Sequence, residues 1–143
     1  MKEMKYQAQR KVEVLDTGFC FGLLYYIMSL GTHPTAYIRI PKGHKLYGKD
    51  DAEIYQKIDI GVHGGITYIS DSITIENIGK VDGWIIGWDY GHYGDYMGIE
   101  ESVPTEFRTG GKKWTTQEIY KEVREACYQI QKGEYKRWKD FCL

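Results

Sequence analysis

The spacing of apolar residues along the chain predicts five or six short strands. The pattern is clearest over 35–40, where apolar side chains occupy every second position and would share one face of a strand. Trp84, Ile86 and Trp88 repeat this spacing, so we expect them on one face of a later strand. The segments with strand-like patterns are 11–15, 22–30, 35–40, 58–70 (interrupted at Gly64-Gly65), 72–78 and 83–89.

Turn and loop residues separate these segments. Residues 16–18 (Asp-Thr-Gly) predict a turn after the first strand, because Asp and Gly favour turn conformations. Asp50 or Asp51 could cap a short helix that ends near Tyr55. Since most connections are short, we expect a mostly antiparallel sheet.

The strongest local signal is the start of a helix at Thr115. Thr115 followed by Glu118 is the pattern of a capping box, in which each side chain satisfies a backbone N–H of the other residue. Apolar residues then recur every three or four positions, and Gly133 is a natural helix end. The helix predicted over 115–132 would lay one apolar stripe on the sheet. A second, short helix is expected in the tail, 134–143.

Together these elements predict a single α+β domain over residues 1–143. Its sheet would have five or six mostly antiparallel strands, and an amphipathic C-terminal helix would pack on it. The polar and charged start, 1–10, is expected to be loosely ordered and does not have the pattern of a signal peptide. The segment 102–113 contains Pro and Gly and is expected to be a mobile loop.

Composition narrows the function classes. A net charge of −1 lacks the basic excess typical of duplex-binding proteins, so direct nucleic-acid binding is not expected. The three cysteines are far apart, which argues against a disulfide framework or a zinc knuckle. The longest apolar stretch, 19–30, is too short and too polar to span a bilayer. We therefore expect a cytoplasmic protein without a membrane anchor and without a cofactor.

The most unusual segment is 83–98, GWIIGWDYGHYGDYMG. Glycine at this density indicates a backbone that turns sharply or lies close to another group. Asp89, His92 and Asp95 recur every three residues, and either Asp could orient His92 as a general base. Alternatively, these side chains only hydrogen-bond the backbone of a bulged hairpin. The aromatic residues that could stack on a ligand are Trp84, Trp88, Tyr90 and Tyr93.

Further candidates lie at predicted strand ends. His33 and His63 are flanked by Gly or Pro, and such turns gather at sheet edges where binding sites form. Arg39 could meet a phosphate group. No two histidines have the spacing that places two metal ligands on one element, so no metal site is expected. The chain contains neither a GxxxxGK[ST] phosphate loop nor a GxSxG nucleophile motif.

The segments 31–41 (GTHPTAYIRIP), 63–68 (HGGITY) and 87–96 (GWDYGHYGDY) resemble sequences of small phage and prophage proteins from Firmicutes and gut metagenomes. The resemblance covers about residues 31–130 and carries over no catalytic residue. It implies a mobile-element setting, in an infected or lysogenic bacterial cell, and a counter-defence role. Such a setting does not by itself fix a function.

Three hypotheses follow. In the first, the protein sequesters a nucleotide-like immune signal, and a homo-oligomer would be consistent with this. Its ligand-binding residues would be Trp84, Trp88, Asp89, Tyr90, His92, Tyr93, Asp95, His33, Arg39 and His63. In the second, it is a protein-binding inhibitor of a host defence effector such as a CRISPR nuclease (an anti-CRISPR protein), and exposed Tyr and Trp make the contact. In the third, it is a small hydrolase that uses His92 with Asp89 or Asp95.

Overall fold

The computed structural model of the protein describes residues 12–31, 33–50, 60–75, 77–91 and 112–133. The sheet has the strand order β1-β2-β3-β5-β4, and each neighbouring pair is antiparallel. The helix contacts β1, β2 and β3, so the expected α+β fold is confirmed, and of the five or six strands expected the described residues form five. The elements are β1 (Val12–Cys20), β2 (Leu23–Leu30), β3 (Pro34–Ile40), β4 (Tyr68–Ile75), β5 (Gly79–Asp89) and α1 (Thr116–Lys132).

The first hairpin differs from the sequence prediction. β1 continues through the predicted turn at 16–18, and the turn lies at Phe21-Gly22, where φ is +50° and +80°. Asp16 stays in the strand because the Tyr25 hydroxyl on β2 donates a 2.6 Å hydrogen bond to its carboxylate. The pairing register shifts just before Asp16, so the irregularity there is a β-bulge and not a chain reversal.

The predicted strand over 58–70 is wrong for most of its described part. Residues 60–67 are irregular, and the chain joins the sheet only from Tyr68. The Gly61 backbone pairs with the side-chain amide of Gln129 in α1, through bonds of 2.9 Å and 3.3 Å. The segment therefore fills the core as a buried loop, and the side chains that do so are Ile60, Val62 and Ile66.

The second hairpin joins β4 and β5. The predicted strand over 72–78 is not separate, because it forms the second half of β4, which ends at Ile75. Asn77 adopts a φ of +68° in the turn, and β5 begins at Gly79, four residues earlier than the pattern indicates.

The core lies between the sheet and α1. In the pairing of β3 with β5, Ile38 faces Ile86 and Ala36 faces Trp88. Ile86 and Trp88 are buried in this core and Trp84 packs against its edge, as the alternation predicts. The opposite face of the sheet carries a smaller apolar cluster, whose buried members are Tyr26, Met28 and Ile75.

The helix forms as predicted. The Thr115 hydroxyl accepts from the Glu118 N–H at 3.1 Å, and the Glu118 carboxylate accepts from the Thr115 N–H at 3.0 Å. Gly133 ends the helix with a φ of +70° and donates to the Gln129 carbonyl at 2.9 Å. The apolar stripe is fully buried and consists of Ile119, Val123, Ala126, Cys127 and Ile130.

Several predicted features lie outside the described residues. They are the start at 1–10, the short helix that Asp50 or Asp51 would cap, most of the loop at 102–113 and the tail at 134–143.

Candidate functional site

Trp88 and Tyr90 lie at the end of β5, on the side of the sheet that the helix covers. They expose only 1% and 0% of their surface. The Trp88 indole N–H donates to the Tyr90 hydroxyl oxygen at 2.9 Å, and that hydroxyl donates to Oε1 of Glu122 at 2.5 Å. A chain of side-chain hydrogen bonds therefore joins the strand end to the helix.

Glu122 in α1 is the acidic group of this arrangement. One carboxylate oxygen accepts from Tyr90, and the other accepts from the His63 backbone N–H at 3.1 Å. Burial raises the pKa of the Glu122 carboxyl above its ordinary value, while the Tyr90 hydrogen bond and the charge of His63 act in the opposite direction. A half-buried carboxylate with fixed donors is typical of functional sites and of structural networks.

Three aromatic rings pack together beside this carboxylate. The His63 imidazole stacks on the Tyr90 ring, with 5.0 Å between the ring centroids and an interplanar angle of 3°. The Trp114 ring is tilted against both, at 4.7 Å from His63 and 4.9 Å from Tyr90. His63 and Trp114 are half-buried, so their edges reach the surface while Tyr90 lies behind them. We call Trp88, Tyr90, His63, Trp114 and Glu122 the Glu122 cluster.

A cation covers the exposed side of the Glu122 cluster. The Lys112 ammonium lies 3.9 Å from the centroid of the Trp114 ring, a cation–π contact. The same ammonium pairs with the Glu118 carboxylate at 3.0 Å, and both side chains are solvent-exposed. Such an exposed pair is weak, at about 0–1 kcal/mol, so Lys112 can leave this position at little cost.

His33 and Asp89 lie near the point where the chain leaves β5. Asp89 accepts from the Gly91 N–H at 2.9 Å, which fixes the turn after the strand. The His33 ring lies against Gly91, where a Cβ atom would come within 3.1 Å of the imidazole. Tyr90 donates its N–H to the Pro34 carbonyl at 3.0 Å, so this turn is also tied to the start of β3. These contacts place the two predicted residues at the turn that follows β5.

Trp84 and Arg39 are not part of this cluster. Trp84 precedes Trp88 by four strand residues, a distance of about 13 Å along β5. Its indole N–H donates to the Lys49 carbonyl at 2.9 Å, which ties the 41–50 loop to the sheet. Arg39 donates from Nε to the Asp82 carbonyl at 2.7 Å. The structure therefore brings together only some of the predicted site residues.

The remaining predicted residues, His92, Tyr93 and Asp95, lie outside the described residues. Conversely, sequence reasoning did not identify Glu122, Trp114 or Lys112 as site residues. For Glu122 a signal was present, because it lies three residues after Ile119 and four before Ala126, beside the apolar stripe of the helix. A carboxylate there needs donors in the fold.

The arrangement suits binding of an aromatic ligand that carries a negative charge. Half-buried rings offer stacking surface and Lys112 offers a cation. Across the five described ranges, no group of three His, Cys, Asp or Glu side chains is placed to hold a metal ion.

Comparisons with protein-family models, with curated proteins and with solved structures found no match for this chain. No helix within the described ranges has both the length and the apolar character needed to cross a membrane.

Proposed function

We propose that the protein binds a nucleotide-like ligand at the Glu122 cluster and holds it without chemical change. The observation that carries this proposal is the contact of Lys112 with the Trp114 ring, beside the stacked His63. A stacking ring and a cation at one place match the two chemical parts of a nucleotide, its base and its phosphate.

Binding would exchange one partner of Trp114 for another. A nucleobase would take the place of Lys112 over the indole ring, and stacking contributes about 1–3 kcal/mol per base. The displaced ammonium would then pair with a ligand phosphate in place of the exposed Glu118 carboxylate. Trp88 and Tyr90 would support the outer rings from the core side. Trp88 donates to the Tyr90 hydroxyl, and that hydroxyl donates to Glu122, which holds the Tyr90 ring in place beneath His63.

The same proposal includes a biological setting for the ligand. The resemblance to phage and prophage proteins supports sequestration of a nucleotide immune signal in the cytoplasm of an infected or lysogenic cell. A homo-oligomer is part of this proposal, since a pocket shared between copies would enclose more of a cyclic nucleotide. The hydrolase alternative gains no support from Asp89, whose carboxylate accepts a hydrogen bond from the Gly91 backbone in the turn after β5.

The test is a thermal-shift screen against cyclic di- and trinucleotides, ADP-ribose derivatives and common mononucleotides. A ligand at 100 times its dissociation constant adds about 2.7 kcal/mol of stability, which raises the melting temperature clearly. Trp114→Ala should abolish the rise, whereas Trp84→Ala, in the middle of β5 and outside the Glu122 cluster, should retain it.

Recovery of the ligand separates binding from catalysis. A compound that returns intact after incubation with sub-stoichiometric protein supports sequestration, and a cleaved compound supports a hydrolase. No rise with any compound would contradict the proposed function.

A further inference from the structure

A second surface feature lies on the exposed outer face of α1. A groove of about 410 Å³ runs between the β1–β2 turn and the outer face of the helix. Its lining combines two aromatic rings, two cations and one carboxylate. We call this the Phe21 groove, and its residues are Phe21, Lys121, Arg124, Glu125 and Tyr128.

The turn that carries Phe21 is conformationally costly. Phe21 adopts a φ of +50°, a region that bulky side chains rarely occupy, and such strain costs on the order of 1–3 kcal/mol. Two-residue hairpin turns with two positive φ angles favour Asn-Gly, whereas this turn is Phe-Gly. The aromatic ring is also 43% exposed. Neither the turn conformation nor core burial therefore accounts for Phe at this position.

The ring is held in a fixed place. The Phe21 ring meets the Tyr128 ring edge to face, with 5.8 Å between centroids and an interplanar angle of 72°. The Gln131 side chain donates to the Phe21 carbonyl at 2.7 Å, and His44 is hydrogen-bonded to the same Gln131 side chain at 3.0 Å. The groove is thus formed before any partner arrives, which lowers the entropic cost of binding.

The charges of the groove indicate the chemistry of its partner. Lys121 and Arg124 are exposed, and among the described residues the structure shows no salt bridge for either of them. With Glu125 the lining carries a net charge of +1, in a chain whose net charge is −1. We infer that the Phe21 groove docks an acidic segment of another protein, whose aromatic or large aliphatic side chain packs against Phe21 and Tyr128.

A protein partner fits these rings better than single-stranded nucleic acid does. Nucleic-acid binding needs open ring faces on which successive bases stack. Phe21 and Tyr128 instead pack against each other edge to face. Aromatic and Arg side chains in a preformed groove are the usual anchors of protein interfaces. This inference does not depend on ligand binding at the Glu122 cluster.

In the experiment, surface-displayed random dodecamer peptides are selected for binding to the whole protein. Phe21→Asn is the main variant, because Asn tolerates a positive φ and the turn should form at least as well. Arg124→Glu tests the charge requirement. Phe19→Asn is the matched control, since Phe19 is 74% exposed on the same hairpin and does not line the groove.

Selected peptides should be acidic and should contain an aromatic or large aliphatic residue. A synthetic consensus peptide should bind Phe21→Asn and Arg124→Glu at least about tenfold more weakly than the unmodified protein, and Phe19→Asn equally well. Selection of no peptides, selection of basic ones, or equal binding to Phe21→Asn would overturn the inference. It would also be overturned if oligo-dT displaced the peptide, or if the groove proved to join two copies of this chain in gel filtration.

Discussion

The hydroxyl of Tyr90 donates a 2.5 Å hydrogen bond to the carboxylate of Glu122 and accepts one from the Trp88 indole. This single oxygen links the end of β5, the last strand in the sequence, to α1. Because its partners lie in the core or against it, the hydroxyl is expected to matter for stability as well as for the position of the outer rings.

Tyr90→Phe should destabilise the fold. The variant leaves the Glu122 carboxylate without one donor and the buried Trp88 N–H without its acceptor. Buried groups that lose a partner cost about 1–3 kcal/mol each, so we expect a loss of at least about 2 kcal/mol in urea unfolding. Tyr47→Phe is the control, since Tyr47 is exposed and should change the free energy of unfolding by less than about 0.5 kcal/mol. Equal losses in both variants would contradict the role of the Tyr90 hydroxyl.

The pH dependence of stability should carry the signature of Glu122. Its pKa is raised by burial above the ordinary value of 4.5, so between that value and the raised one the folded state binds more protons than the unfolded state. The stabilising contribution is therefore complete below pH 4.5 and is lost as the pH rises through the folded-state pKa. In Glu122→Gln, the decline of unfolding free energy above pH 4.5 should be shallower than in the unmodified protein.

Other titrating groups must be separated from this effect. Glu122→Gln removes one titrating carboxyl, so the comparison is the difference between the two urea-unfolding series. Partial burial acts to raise the pKa of Glu118, but its hydrogen bonds to Thr115 and its pairing with Lys112 lower that pKa overall. Glu118 thus contributes stability that is lost as the pH falls below 4.5, a separate window. A Glu122→Gln variant with an unchanged slope above pH 4.5 would show that Glu122 is not the titrating group.

Much of the fold follows from local sequence patterns. Strict alternation over 35–40 and the capping box at Thr115 each specify one conformation, and both elements form as predicted. The prediction of a turn at 16–18 was wrong because the Asp16 carboxylate, in β1, accepts a hydrogen bond from the Tyr25 hydroxyl in the neighbouring strand β2. The prediction of a strand was wrong over 60–67, because a buried loop and a buried strand can have the same pattern of apolar residues.

The site is harder to predict than the fold. Trp88 and Tyr90 belong to a segment whose composition is unusual, so sequence reasoning identified them. Glu122, the partner of Tyr90, is 32 residues further along the chain, and the local spacing of residues does not indicate such a contact. The meeting of His63, Trp114 and Tyr90 likewise depends on three separate segments that only the tertiary fold brings together.

The helix cap should make a measurable contribution. Thr115→Ala removes the hydroxyl that accepts from the Glu118 N–H, and loss of an N-cap of this kind costs about 0.5–2 kcal/mol. Gln117→Ala, in the exposed part of the same helical turn, is the control and should have no destabilising effect. Thermal unfolding of the two variants compares them directly. A Thr115→Ala variant as stable as the control would contradict a functioning capping box.

The thiols of Cys20 and Cys127 should be unreactive in the folded protein. Both are buried, and burial together with the neighbouring Cys20 raises the pKa of the Cys127 thiol far above its usual range. Since the thiolate is the reactive form, a Cys142→Ser variant should react very slowly with a disulfide reagent at pH 8 and fully after unfolding in guanidinium chloride. Rapid reaction without denaturant would contradict the burial of these two residues.

Ligand binding at Trp114 is the central claim, and the indole N–H signals of ¹⁵N-labelled protein test it most directly. The chain contains four tryptophans, and single Trp→Phe variants assign their signals. On titration with cyclic di-AMP, cyclic tri-adenylate and ADP-ribose, one compound should shift the Trp114 signal, and the hydrogen-bonded Trp88 signal to a smaller extent, while Trp84 stays in place. Unchanged Trp114 signals with all three compounds, or shifts confined to Trp84, would contradict a nucleotide site at the Glu122 cluster.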